Sequence, residues 1–96
     1  MNREEILHTL KEHNSELKKI GVYSLAIFGS VARGTARKTS DVDILVEFSH
    51  PIGLFEFARL KIYLEKLLGR KVDLVTPDAL RQEMREEILR EAIHAV

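Results

Sequence analysis

Two aspartates and a glycine–serine pair stand at a spacing that suits phosphoryl chemistry. Gly29 and Ser30 are followed by ten residues and then by Asp41 and Asp43, with one residue between the two carboxylates. On a strand, residues separated by one position point to the same side of the sheet. Paired carboxylates on that side could hold hard divalent cations against a bound triphosphate. The pattern therefore predicts metal-dependent nucleotidyl transfer.

A third carboxylate, Asp73, lies in a second strand-like run at 71–75. It alternates with apolar neighbours, so it can share a face with Asp41 and Asp43 if the two strands are adjacent. Two divalent ions bridged by such carboxylates stabilise the attacking and leaving oxygens of a displacement at phosphorus. We therefore predict that these three aspartates ligate Mg²⁺ and form the catalytic centre. Asp73 could also be the general base for the incoming hydroxyl.

Small and basic residues ahead of the aspartates could bind the phosphates. Gly29 permits close approach of the backbone, and the Ser30 hydroxyl could bind the β- and γ-phosphates beside the first turn of a short helix. Arg33 could neutralise the leaving pyrophosphate, with Arg37 and Lys38 further along the chain. We predict Gly29, Ser30 and Arg33 as nucleotide-binding residues.

Three strands are expected to position these residues, at 22–28, 41–48 and 71–75. In the second strand, the residues expected to face the core are Val42, Ile44 and Val46. The opposite positions are polar, with Leu45 as the exception. This alternation would keep the aspartates on the side of the sheet away from the core.

Four helices are expected around the strands, because apolar residues recur at helical spacing and glycine or proline marks their ends. We place them at 3–19, 31–33, 54–68 and from Pro77 onward. The short second helix would be capped by Ser30 and closed by Gly34. The third would bury a broad apolar face comprising Leu54, Phe57, Ala58, Leu60, Leu64, Leu67 and Leu68.

The element order predicts an α/β (α+β) domain, a small mixed β-sheet with helices packed on one face. The other face, or its rim, would be open near the aspartates. No internal repeat or linker divides the sequence, so residues 1–96 are expected to form a single domain.

Composition narrows the classes of protein that are compatible with the sequence. The chain has 15 basic and 15 acidic residues, and this balance does not favour direct binding of nucleic acid. It has no cysteine, which excludes disulfide scaffolds and thiolate zinc sites. Neither a signal peptide nor a membrane-spanning apolar run is visible, so we expect a soluble, cytoplasmic protein.

In three separated segments the chain resembles the DNA-polymerase-β-like nucleotidyltransferase superfamily, and more closely the minimal nucleotidyltransferase (MNT) antitoxins. The segments are GSVARG at 29–34, SDVDILV at 40–46 and VDLV at 72–75. The resemblance implies the nucleotidyltransferase fold, ATP as substrate and Mg²⁺, with two ions bound.

The same resemblance assigns roles to individual residues. It implies that Asp41 and Asp43 are metal ligands, with Asp73 as the third carboxylate. It makes Gly29 and Ser30 phosphate binders, while Arg33 matches the family's following basic position. Alone, an Asp-x-Asp pair or a Gly-Ser turn is common on solvated surfaces, so the prediction depends on the three segments occurring together.

The resemblance also implies a partner and a reaction. MNT antitoxins pair with a HEPN-domain toxin, an all-helical ribonuclease, and attach AMP from ATP to a tyrosine of that toxin, which inactivates it. Two alternatives stay open: a non-catalytic antitoxin that neutralises the toxin by binding, and a small-molecule nucleotidyltransferase whose acceptor site another subunit would supply. The sequence is compatible with a homo-oligomer and with a hetero-complex.

Overall fold

The computed structural model describes residues 1–96 and contains one mixed β-sheet. Its strands are β1 Val22–Phe28, β2 Val42–Phe48, β3 Val72–Val75 and β4 Ile93–His94. They lie in the order β3-β2-β1-β4, with β2 antiparallel to β1 and parallel to β3, and β4 antiparallel to β1. The strand predicted at 22–28 is confirmed, and those expected at 41–48 and 71–75 each begin one residue later.

Five α-helices surround the sheet: α1 Arg3–Glu12, α2 Asn14–Ile20, α3 Gly29–Arg33, α4 Leu54–Leu68 and α5 Gln82–Glu91. α1 begins at a capping box, in which Asn2 and Glu5 each accept a hydrogen bond from the other's backbone N–H. α2, α3 and α4 end at the glycines predicted to stop them. None of these helices combines the length and apolar composition that crossing a bilayer requires.

The prediction of one continuous helix over 3–19 is wrong, because the helix breaks at His13. The backbone of His13 leaves the helical conformation, with φ −99° and ψ 18°. Its ring Nδ1 lies 2.8 Å from the Thr9 carbonyl oxygen. The His13 N–H still bonds the Thr9 and Leu10 carbonyl oxygens, and the chain restarts as α2 at Asn14.

The prediction of a final helix starting at Pro77 is also wrong. Pro77–Ala79 form one turn of 3₁₀ helix, after which Leu80 and Arg81 are extended, with ψ angles of 141° and 139°. α5 therefore begins only at Gln82. Proline is compatible with the first turn of either kind of helix, so it marks the turn without determining how far the helix continues.

Strand β4 was not predicted. Ile93 pairs with Ile27 and His94 pairs with Ala26, which extends the sheet on the far side of β1 from the aspartates. Two residues are too few to show the alternation by which a strand is recognised in a sequence. Because β4 directly follows α5 and pairs with β1, which directly precedes α3, it places the end of α5 near the start of α3.

The predicted small mixed sheet is present, and α1, α2 and α4 pack on one of its faces. Fully buried side chains from these helices, such as Ile6, Leu17 and Leu64, join the same hydrophobic core as Ile27 and Ile44 of the central strands. This core holds β1 and β2 in place.

Helix α5 covers part of the other face. Its buried residue Ile88 packs with Phe28 of β1 and Leu45 of β2. This contact explains why an apolar residue interrupts the polar side of β2 at position 45. The part of this face that α5 leaves uncovered includes the aspartates.

Most of the apolar face predicted for α4 contributes to the core. Leu60, Leu64 and Leu68 are buried, and Phe57 and Leu67 pack against the core. Ala58 and Leu54 were also predicted for this face, but Ala58 is exposed and Leu54 is 80 % exposed.

Candidate active site

The register between β2 and β3 places two of the predicted carboxylates side by side. The strands are parallel, and Asp43 pairs directly with Asp73. The residues before them, Val42 and Val72, point into the core, so both aspartates point to the opposite face. Their carboxyl groups are close enough to share a hydrogen bond when one of them is protonated.

The third carboxylate, Asp41, lies just outside this pair. It was predicted as the first residue of the strand, but β2 begins at Val42 and Asp41 is exposed. Its charge still acts on Asp43, since it contributes to the shift in the pKa of that residue. No three histidine, aspartate or glutamate side chains in the chain are gathered into a preformed metal site.

Burial and repulsion raise the pKa of Asp43 from 3.8 to about 6. Burial is the largest cause, the charges of Asp73 and Asp41 add to it, and the guanidinium of Arg33 opposes it. The site therefore concentrates negative charge that one arginine only partly balances. Such a site favours a bound cation.

Magnesium suits this arrangement better than a metal that needs a complete protein cage. Mg²⁺ prefers oxygen ligands, keeps several waters and is commonly held by one or two carboxylates together with substrate phosphates. Asp43 and Asp73 offer two adjacent carboxylates, and Asp41 offers a third at the rim. The residues present therefore fit a metal whose remaining ligands come from a nucleotide and water.

Gly29 lies against Asp43. Phe28, the last residue of β1, pairs with Asp43, so the next residue turns beside its carboxyl group. Gly29 has φ +71°, and a Cβ atom there would overlap Asp43 Oδ2 and lie 3.1 Å from its Cγ. Glycine is thus favoured both by the backbone conformation and by the close approach.

Ser30 is the second residue of the short helix α3 and is half-buried. The prediction that it caps this helix is wrong, because α3 begins one residue earlier, its N-cap is Phe28 and no side chain caps it. The reason is that Gly29 already adopts a helical hydrogen-bonding pattern after the strand ends. The Ser30 hydroxyl therefore makes no capping hydrogen bond to the start of α3.

Arg33, at the end of α3, is 54 % exposed and bonds a residue that the sequence did not suggest. Its Nη1 lies 3.3 and 3.1 Å from the two carboxylate oxygens of Glu91, the last residue of α5. Glu91 also accepts a hydrogen bond of 3.0 Å from the Gly29 backbone N–H. Glu91 follows Arg33 by 58 residues, so no local spacing signals this contact.

The six predicted residues line neither of the two main clefts. Arg33, Asp41 and Asp73 are exposed, while Gly29, Ser30 and Asp43 are half-buried. One cleft, of about 1020 Å³, is lined by residues from the other end of β2, the loop before α4 and the segment before α5. The second, of about 510 Å³, lies beside the start of α1 and includes Arg37 and Lys38. Asp73 is exposed and Asp43 half-buried on the part of the sheet face that α5 does not cover.

A model of the nucleotidyltransferase domain family matches residues 7–95. The chain belongs to this family. The nucleotidyltransferase fold and enzyme class inferred from the three sequence segments are thus confirmed.

Two relatives of high similarity support this assignment. The chain is 44% identical over 92 residues to protein adenylyltransferase MntA of Thermococcus cleftensis. The aligned region covers 95% of this chain and 93% of that protein. The structure of a protein proposed to be a minimal nucleotidyltransferase superposes with a TM-score of 0.83 and 43% sequence identity, covering 97% of this chain and 95% of the other.

A more distant neighbour shares the fold alone. It comes from the complex of a tri-AMPylated HEPN toxin of Shewanella oneidensis with its MNT antitoxin, and it superposes with a TM-score of 0.65 at 16% identity. The superposition covers 94% of this chain and 71% of that chain.

The raised pKa of Asp43 predicts a pH-dependent stability. The folded chain binds this proton more tightly than the unfolded chain, so stability falls as the pH rises from 3.8 through about 6. Asp43→Asn removes the ionised group. We expect this variant to have a higher Tm than the wild type at pH 7.5 without divalent cations, and the difference to shrink as the pH approaches 4.

Thermal unfolding of both proteins between pH 4 and 8 measures this difference. Glu47→Gln, which removes an exposed carboxylate from the same strand, is the control and is expected to track the wild type. A Tm for Asp43→Asn below that of the wild type at pH 7.5 would contradict the assignment of charge repulsion to this site.

Gly29→Ala is expected to disturb the site more than an equivalent change elsewhere. Gly69 has a similar φ of +66° but open space around it, so Gly69→Ala should cost about 1–2 kcal/mol from backbone conformation alone. In Gly29→Ala the Asp43 carboxylate must also move, which adds about 1 kcal/mol or more. Urea unfolding compares the two variants, and equal losses would show that Asp43 does not constrain position 29.

Proposed function

We propose that the chain is a Mg²⁺-dependent protein adenylyltransferase that acts as an antitoxin, transferring AMP from ATP to a tyrosine of a HEPN ribonuclease toxin. The observation that carries this proposal is the pairing of Asp43 with Asp73 directly beside the glycine turn that ends β1. The 44% identity to a protein adenylyltransferase supports the type of transfer. The fold shared with the antitoxin of an AMPylated HEPN toxin supports the partner.

In this reaction the tyrosine oxygen forms a bond to the α-phosphorus of ATP while the bond from that phosphorus to the bridging oxygen of pyrophosphate breaks. The phenolic proton passes to a base, and pyrophosphate leaves with the electrons of the broken bond. Mg²⁺, when bound, neutralises charge on the phosphate oxygens. Asp43 and Asp73 would hold the metal, with Asp41 at the rim as its third carboxylate ligand.

The remaining predicted residues have complementary tasks. Gly29 lets the backbone approach the phosphates beside Asp43, and the Ser30 hydroxyl is available as a hydrogen-bond partner for them. Arg33 supplies the positive charge on that side of the site. Asp73 lies on the edge strand β3 and is exposed, so it can also take the proton of a hydroxyl that arrives from outside the sheet.

The openness of the site favours a protein acceptor over a small one. Small-molecule sites are usually concave and enclose most of their ligand, whereas Asp41, Asp73 and Arg33 are exposed and line neither main cleft. A tyrosine presented on a partner's surface can reach such a site, while a small acceptor would have few walls to hold it. This supports protein adenylylation over the small-molecule alternative.

The electrostatics of the site argue against an antitoxin that works by binding alone. Burial, together with the charges of Asp73 and Asp41, raises the pKa of Asp43 to about 6, and this destabilises the ionised folded chain at neutral pH. Shifts of this kind occur at sites where charge serves chemistry. A surface that only masks a partner has no need of them.

The central test is transfer of label from α-³²P-ATP to a purified HEPN toxin in the presence of Mg²⁺. We expect Asp43→Asn to slow labelling about 100-fold or more, because it removes a charge that the metal and the developing phosphate charge require. Glu47→Gln is the matched control and should label at the wild-type rate. Mass spectrometry of the toxin should locate AMP on a tyrosine, and replacing that tyrosine by phenylalanine should abolish labelling.

Two outcomes separate the alternatives. Wild-type labelling rates in Asp43→Asn would contradict the metal site. An Asp43→Asn variant that fails to transfer label, yet still blocks the toxin's ribonuclease activity as fully as the wild type, would instead support neutralisation by binding.

A further inference from the structure

The carboxylate of Glu91 joins the end of α5 to both ends of α3. It accepts a hydrogen bond of 3.0 Å from the Gly29 N–H, where α3 begins, and it contacts Arg33 Nη1 at 3.1 and 3.3 Å, where α3 ends. The Glu91 side chain is only 21 % exposed. Contacts at both ends of a five-residue helix fix its position more strongly than either contact would alone.

The pairing of β4 with β1 explains why a side chain, and not the backbone, accepts the Gly29 N–H. β4 pairs with β1 so that His94 stands opposite Ala26 and Ile93 opposite Ile27. Continued by two residues, this register would set Glu91 opposite Gly29. Residue 91 is helical, however, so its backbone cannot continue the ladder, and its carboxylate accepts the Gly29 N–H in place of a strand carbonyl.

The contact reaches the nucleotide site through the backbone. The N–H of Gly29 belongs to the peptide that joins it to Phe28, so the hydrogen bond to Glu91 restrains the backbone immediately before Ser30. Only Nη1 of Arg33 is bound to Glu91, and this side chain is 54 % exposed, so its other donors are free to bind a phosphate.

We propose that Glu91 is a positioning residue for nucleotide binding, which holds the Gly29 peptide and the Arg33 guanidinium so that Ser30 and Arg33 meet the phosphates of ATP. This inference rests on the function proposed above. It assigns to α5, whose sequence carries no recognisable motif, a direct connection to the phosphate-binding turn.

A matched pair of variants isolates the hydrogen bond. Glu91→Gln keeps an oxygen that can accept the Gly29 N–H, whereas Glu91→Met has a similar shape and no comparable acceptor. The control is Glu87→Met, which changes an exposed glutamate one turn earlier on the same helix. If the Glu91→Met variant does not fold, Glu91→Leu takes its place.

Two measurements on the whole chain are needed. The first is the Gly29 amide resonance in ¹⁵N–¹H spectra, which reports the hydrogen bond itself and requires no activity. The second is the affinity for a fluorescent ATP analogue, mant-ATP, in the presence of Mg²⁺. The KM for ATP and kcat in the labelling assay then show whether the effect lies in nucleotide binding or in the chemical step.

We expect Glu91→Met to shift the Gly29 amide resonance, to weaken mant-ATP binding about 10-fold and to raise the KM for ATP more than it lowers kcat. Glu91→Gln should restore the affinity to within about threefold of the wild type, since its amide oxygen can still accept from both the Gly29 N–H and Arg33 Nη1, as Oε1 of Glu91 does. Glu87→Met should leave both the resonance and the affinity unchanged.

The outcomes distinguish this inference from the function on which it rests. If the wild type binds mant-ATP and a folded Glu91→Met variant binds it equally or more tightly, the positioning role is overturned while the proposed function stands. Equal weakening in Glu91→Gln and Glu91→Met also overturns it, because the acceptor oxygen would then be irrelevant. If the wild type binds no nucleotide, the proposed function fails first, and this inference fails with it.

Discussion

The close packing of Asp43 is the constraint on which the rest of the site depends. On one side its carboxyl group stands beside Asp73 through the parallel register of β2 and β3. On the other side it stands so close to Gly29 that any larger residue there would displace it. Burial keeps it from full hydration, and its pKa is raised to about 6. A metal ion bound to these carboxylates would remove the repulsion, so the same crowding that destabilises the free chain would favour the loaded one.

The fold provides this arrangement with few elements. A core between the sheet and α1, α2 and α4 fixes the two central strands, while α5 covers the opposite face only as far as Leu45. The aspartates thus stay at the end of that face that α5 does not cover. The contact of Glu91 with Gly29 shows that α5 also reaches the edge of this site.

Much of this arrangement could be predicted from the sequence, because it depends on local patterns. The alternation along β2 and β3 predicted which aspartates share a face, and the glycine–serine pair predicted the turn that ends β1. The strand at 22–28 and the helix at 54–68 have the predicted bounds. These features follow from neighbours within a few residues, which a sequence displays directly.

The features that could not be predicted depend on contacts between distant residues or on small differences in local energy. Glu91 meets Gly29 across 62 positions. The break between α1 and α2 falls at His13, and Leu54 is 80 % exposed although it belongs to the apolar pattern of α4; no local sequence signal marks either feature. Asp41 lies outside the strand that was expected to include it, so the three carboxylates are not one preformed cluster.

The central claim is that Asp43 and Asp73 bind a divalent metal together with a nucleoside triphosphate. The most direct measurement is a crystal structure of the chain with Mn²⁺ and a non-hydrolysable ATP analogue, read from the anomalous scattering of the metal. The account predicts an anomalous peak within ligand distance of both the Asp43 and Asp73 carboxylates and in contact with the phosphates. Nucleotide bound elsewhere on the chain, with no peak between these two side chains, would contradict it.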